Sequence, residues 1–149
     1  MASERTVVFI CIENACRSLM AEAMFNANPP LGWHAISAGT APSPSPNPRT
    51  VPMLAEIGLG LPDHPPRLLT KEVMDRADLR VTMGCLDEAS CPAHLRELEL
   101  RDWGLRDPSK LDDAGFREVR DEILRRVGRL RLEISLNDRR RGRTQAPSA

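Results

Sequence analysis

The run Val7-Val8-Phe9-Ile10 constrains this chain more than any other feature. From Thr6 to Ile10 the residues are β-branched or apolar without polar alternation, as in a strand covered on both faces. Such strands belong to parallel sheets sandwiched between helices, because a sheet with one wet face would alternate. A helix follows over 18–27, with Met20, Ala23, Met24 and Ala27 on one face and Asn28, Pro29, Pro30 and Gly32 to stop it. The next elements read as a strand over 34–37 and a proline- and serine-rich loop over 41–48. An apolar face of Val51, Leu54, Ile57 and Leu61 comes next, ended near Gly58, with Pro52 permitted only in a first turn.

Thr70 can cap a short helix over 71–77. A third buried strand is expected over 79–83 and a fourth over 98–100. Phe116, Val119, Ile123, Val127, Leu130 and Ile134 then repeat at helical spacing. Strands separated by helices predict one α/β domain: a four-stranded parallel sheet with helices on both faces and right-handed crossovers. Such sheets place their sites at the carboxyl ends of strands, where Cys11 and Cys85 fall. The folded domain is expected over 1–136. The remainder, 137–149, carries Arg139, Arg140, Arg141 and Arg143 without an apolar cluster and reads as a disordered basic tail.

A chain of 149 residues makes one core and needs neither disulfide nor metal merely to fold. Twenty-one basic residues balance twenty-one acidic ones, so no overall charge favours nucleic acid, and any bound anion must be gripped locally. Aromatic residues make up 3% and tyrosine is absent, which argues against base-stacking platforms. The longest apolar run, Val7 to Ile12, is far shorter than a membrane span, and no leader pattern is read at the start, so a cytoplasmic protein without membrane contact is expected. In a reducing compartment four cysteines point to catalysis, redox chemistry or metal rather than structural disulfides. They form two close pairs, Cys11 with Cys16 and Cys85 with Cys91.

The first pair lies in Cys11-Ile12-Glu13-Asn14-Ala15-Cys16-Arg17-Ser18, between the first strand and its helix. The spacing alone is weak, but its place is not. A loop at a helix start can wrap backbone N–H groups around a tetrahedral oxyanion, with the helix dipole adding positive potential. Arg17 can bind two anion oxygens through its planar fork. The same field would lower the Cys11 thiol from about 8.5 toward roughly 3.5–7.5, making a thiolate nucleophile. Ser18 can donate to that sulfur, and Asn14 tolerates the left-handed backbone such a cradle needs. The plainer alternative is a buried cysteine before a helix that happens to begin with Arg and Ser.

This segment, together with Glu22, resembles the phosphate loop of the low-molecular-weight protein tyrosine phosphatase superfamily. Ser37-Ala38-Gly39-Thr40, the strand before Met83 and Trp103-Gly104-Leu105-Arg106-Asp107-Pro108 fall in that family's order, so the resemblance runs from Val7 to about Ile134. The superfamily holds phosphatases and thiol-dependent arsenate reductases, and Met83-Gly84-Cys85 through Cys91-Pro92 is similar to the reductase loop. The resemblance to the reductases implies that Cys11 attacks arsenic while Asp107 protonates the departing oxygen. Cys85 then attacks Cys11 to release arsenite, and Cys91 attacks Cys85. The resulting Cys85–Cys91 disulfide would be regenerated by a thioredoxin-type protein, with weak phosphatase activity alongside.

The alternative is a phosphomonoesterase that needs only Cys11, Arg17 and Asp107, with Cys16 protecting Cys11 as a reversible disulfide. Against a phosphotyrosine substrate, Ser109 and Lys110 stand where the phosphatases place aromatic residues after Asp-Pro. Incidental loop thiols and a zinc site built on Cys85, Cys91 and His94 are further readings of the second pair, and no metal is assigned. Glu13 replaces a glycine common in the family and is expected to point to solvent. One reductase branch binds a monovalent cation near positions matching Asn14, Glu22 and Ser37, a site that the sequence alone does not complete; no tightly bound cofactor is expected. The partners implied are arsenate or phosphate and the thioredoxin-type reductant, with the chain a monomer or weak homodimer.

Overall fold

A computed structural model describes residues 4–84 and 100–145, with side chains as far as 141. Four strands, β1 (Arg5–Cys11), β2 (Trp33–Gly39), β3 (Leu79–Thr82) and β4 (Arg101–Asp102), form one sheet in the order β2-β1-β3-β4. Every neighbouring pair is parallel. The central strand β1 is buried from Val7 to Cys11, as its unbroken apolar run requires. On one face Val7, Phe9 and Val81 pack against α1 (Arg17–Ala27), α2 (Thr50–Ala55) and the last helix, α4 (Asp113–Gln145). On the other, Val8, Ile10 and Ala38 meet Met74 and Ala77, at the end of the short helix α3 (Lys71–Arg76).

Several local readings hold. Thr70 caps α3 by accepting from the Val73 N–H at 3.2 Å. Pro52 sits in the first turn of α2, and Gly58, with φ +77°, closes that segment. The six apolar positions of the last helix are all buried in α4. Others are corrected. In α1, Leu19 and Phe25 are buried while Ala27 is exposed, and in α2 Met53 is buried while Val51 is half exposed.

The fourth strand does not lie over 98–100. It is the two-residue pairing of Arg101 and Asp102 with Val81 and Thr82, a charged edge with no apolar pattern to announce it. The tail expected to be disordered from Asn137 is helical as far as Gln145. Asp138 anchors this extension, accepting from Arg5 Nη2 at 2.6 Å and from Trp33 Nε1 at 3.0 Å. Among the described residues, no helix is long and apolar enough to cross a membrane.

Candidate active site

The carboxyl ends of β1 and β2 finish side by side, Cys11 against Gly39. Beyond Cys11 the chain makes a tight loop before α1, and Asn14 takes φ +51°, the left-handed conformation its side chain tolerates. The loop's carbonyls are held from outside. Thr40, Ala41, Ser43 and Asn47 donate backbone N–H bonds to the carbonyls of Cys11, Ile12, Glu13 and Ala15, at 2.8–3.1 Å. A trans peptide sets its N–H opposite its carbonyl. The N–H groups of Ile12, Glu13, Asn14 and Cys16 therefore turn inward, and that of Asn14 donates to Cys11 Sγ at 3.1 Å.

Gly39 allows this close approach. A Cβ there would stand 2.4 Å from the Ile12 carbonyl oxygen and 2.9 Å from the Asn14 nitrogen. Helix α1 begins after Cys16 without a side-chain cap, so its first N–H groups remain available to an anion.

Beneath the sulfur, Asn14 Nδ2 donates to Ser18 Oγ at 2.8 Å, which leaves the Ser18 hydroxyl proton for Cys11 Sγ, also at 2.8 Å. Asn14 and Ser18 are fully buried. Arg17, 8% exposed, donates through Nη1 to the Leu105 carbonyl at 2.8 Å and lies 3.4 Å from that of Met83. The guanidinium is thereby aimed across the loop mouth. A cavity of about 220 Å³ opens there, lined by Cys11, Ile12, Glu13, Ala15, Cys16 and Arg17 and also by Asp107.

Asp107 caps the turn Pro108–Lys110, accepting from the Ser109 N–H at 3.0 Å and the Ser109 hydroxyl at 2.7 Å. Partial burial pushes its carboxyl upward, but the two Ser109 hydrogen bonds and the charges of Arg17 and Lys110 outweigh this, so the net shift is downward. The thiol of Cys16 moves the other way. Burial pushes it up to about 11, despite the Thr50 hydroxyl 3.5 Å from the sulfur.

The structure thus brings together Cys11 through Ser18 and Asp107, and Glu13 is exposed as expected. Cys85 and Cys91, and with them the zinc reading through His94, lie outside the described residues. Among the described residues no three His, Cys, Asp or Glu side chains group to hold a metal. Ser109 and Lys110, which stand after Asp107-Pro108, do line the cavity, whereas sequence reasoning missed Asn47 in its wall and the loop 40–47 as the outer clamp. Asn47 and the prolines around it were visible only as turn formers; nothing in their spacing tells which carbonyls they hold.

A parallel sheet carries a cysteine in the loop before a helix, an arginine at that helix start and an aspartate in the same cavity, a layout suited to holding an oxyanion beside a thiol. The chain belongs to the low molecular weight phosphotyrosine protein phosphatase family, whose sequence model matches residues 6–140. Among its relatives is an arsenate reductase of Brevibacillus brevis, 32% identical over 127 residues that cover 85% of this chain and 94% of the relative. A solved thioredoxin-dependent arsenate reductase of Corynebacterium glutamicum superposes with a TM-score of 0.74 at 29% identity, covering 91% of this chain but 64% of the other. An Archaeoglobus fulgidus arsenate reductase gives 0.69 at 35% identity, covering 83% and 97%.

Proposed function

We propose that this chain reduces arsenate to arsenite through Cys11, Cys85 and Cys91. The observation that carries the reading is the cradle: a sulfur held by the Asn14 N–H and the Ser18 hydroxyl, at an uncapped helix start and facing Arg17. Arsenate, a tetrahedral oxyanion, suits that cradle. Relatives at about 30% identity that carry the name arsenate reductase support the substrate. Hydrogen bonds to sulfur favour its thiolate, the working nucleophile.

Cys11 thiolate attacks arsenic, and an oxygen leaves as water with a proton from Asp107. Cys85 thiolate then attacks Cys11 Sγ. The S–As bond breaks with its electron pair left on arsenic, so As(V) becomes As(III) while two thiols become a disulfide. Cys91 thiolate attacks Cys85 and frees Cys11. A dithiol protein of the thioredoxin type reduces the Cys85–Cys91 bond, a role suggested by the thioredoxin dependence of the Corynebacterium relative. The described chain before Cys85 supports this route, since Met83 touches Arg17 and the next residue, Gly84, packs against Gly104.

The second reading, a phosphomonoesterase, is favoured by the same cradle with Asp107 in the same cavity. Its protective Cys11–Cys16 disulfide is less suited to this chain, because a thiol raised to about 11 is rarely the attacking thiolate near neutrality. The test is arsenate turnover coupled to thioredoxin, its reductase and NADPH. Cys11→Ser should abolish it, and Cys85→Ser or Cys91→Ser should each stop multiple turnover. After one turnover without reductant, peptide mapping should find a Cys85–Cys91 bond. Aryl phosphate hydrolysis that survives Cys85→Ser, with arsenate acting only as an inhibitor, would establish the phosphatase instead.

A further inference from the structure

The anion loop stands on a second layer of polar contacts that the relay does not use. Asn14 Oδ1, on the side chain that orients Ser18, accepts from the Arg67 N–H at 3.0 Å. Arg67 Nε donates to the Ser37 carbonyl at 2.9 Å, and the Ser37 hydroxyl donates to Glu22 Oε1 at 2.8 Å. Glu22, 5% exposed, meets His64 Nε2 at 2.9 Å from each of its carboxylate oxygens. Arg67 Nη2 approaches from the same side, 3.6 Å from Glu22 Oε1 and 3.2 Å from His64 Nε2.

A buried carboxylate requires a compensating charge. The family resemblance places a monovalent cation near Asn14, Glu22 and Ser37, and the residues here do not fit one. Cation binding needs free oxygen lone pairs directed at one point. Both Glu22 oxygens, Asn14 Oδ1 and the Ser37 carbonyl instead face the Ser37 hydroxyl, the Arg67 main-chain N–H and two basic side chains, His64 and Arg67. His64 Nδ1 lies 2.7 Å from the Pro65 carbonyl, which can only accept.

We propose that His64 and Arg67 are positioning residues that take the place of a bound monovalent cation. Arg67 supplies a positive charge beside Glu22 and His64 covers both its oxygens from within the chain, while the Arg67 N–H holds Asn14, and through it Ser18, against Cys11. The inference rests on the reading of Cys11 as the nucleophile, but not on arsenate being its substrate. Its test accordingly needs no turnover. The full chain is melted in potassium chloride and in tetramethylammonium chloride at equal ionic strength. Alkylation of Cys11 by iodoacetamide is followed at one fixed pH by peptide mapping.

The wild-type melting midpoint should be the same in both salts. His64→Gln and Arg67→Ala, each still melting cooperatively, should alkylate Cys11 about tenfold more slowly, the scale of one weakened charge-assisted hydrogen-bond network. A substitution that merely loosened the fold would expose the thiol and speed the reaction. A wild-type midpoint that rises in potassium overturns the proposal, and does so even where a variant fails to fold. So does a folded His64→Gln or Arg67→Ala protein that alkylates at the wild-type rate. Either result would leave the arsenate assay standing or falling on its own.

Discussion

At the residue scale, two positions allow the proposed anion binding and proton transfer to be tested separately. Gly39 lies under the loop, and the atoms a side chain would meet are backbone of Ile12 and Asn14, which cannot swing aside. Gly39→Ala should cost about 1–3 kcal/mol of stability through overpacking and should also spread the N–H cradle. Phosphate should protect Cys11 from alkylation in the wild type and more than about tenfold less well in the variant, a loss of some 1.4 kcal/mol.

Asp107 lines the same cavity. Its carboxyl is held below its ordinary value of 3.8 in the free protein, so the protonated form needed to donate becomes scarcer as pH rises through the acid range. The kcat/KM for an aryl phosphate should fall with rising pH on that limb. Asp107→Asn should lower it by roughly 10²-fold or more and flatten the limb, with the smallest effect on leaving groups that need no proton. A profile unchanged in shape would remove Asp107 from the proton donor's role.

At the element scale, what the sequence discloses depends on whether an element is held by apolar burial or by polar contacts. β1 is apolar at every buried position and the first part of α4 at all but Arg120, so period and run length announce them. The order strand, cysteine loop, arginine, helix likewise makes Cys11, Asn14, Arg17 and Ser18 legible, because the chemistry of an anion loop is local in sequence. β4 and the last turns of α4 are secured by charges whose partners lie far away in the chain. Arg101 bonds both oxygens of Glu133, and Asp138 reaches Arg5 and Trp33. A count of apolar residues cannot find such elements. The clamp loop escapes for the same reason, since its bonds are backbone bonds that any residue but proline could donate.

This distinction is itself testable. Asp138→Ala removes the acceptor of Arg5 and Trp33 while leaving every apolar contact of α4 in place. Stability should fall by roughly 1 kcal/mol, about 2–4 °C in a domain of this size. Amide exchange should quicken over the last turns of α4 and remain slow around Ile123 and Val127. If the whole helix exchanged faster, its end would be part of the cooperative core rather than an extension tied down by one carboxylate.

At the scale of the whole molecule, the site and the longest helix are joined through α2. The start of this helix touches the anion loop, where the Thr50 hydroxyl donates to the Ala15 carbonyl at 3.1 Å. Its far end is fastened to α4, where the Glu56 carboxylate receives Arg117 Nη2 at 2.8 Å and Arg120 Nη1 at 2.5 Å. Hydrogen bonds from Arg117 and then Arg120 lower the Glu56 pKa from 4.5 to about 2. A depressed carboxyl stabilises the fold while the native group is charged, so its contribution is complete above the unfolded value of 4.5. It drains away as pH falls from 4.5 towards about 2, where the native carboxylate also takes up its proton. Glu56→Gln should therefore melt below the wild type by a constant margin at neutral pH, and that margin should close through this acid window. Because the clasp lies at the surface, added salt should narrow the margin as well. Phosphate protection of Cys11 should not change at neutral pH, since Thr50 and the clamp loop still hold the cradle's carbonyls. A margin that persisted at the acid end would mean that Glu56 acts by packing rather than by charge. Loss of phosphate protection would mean that α2 transmits the clasp to the site as a rigid strut.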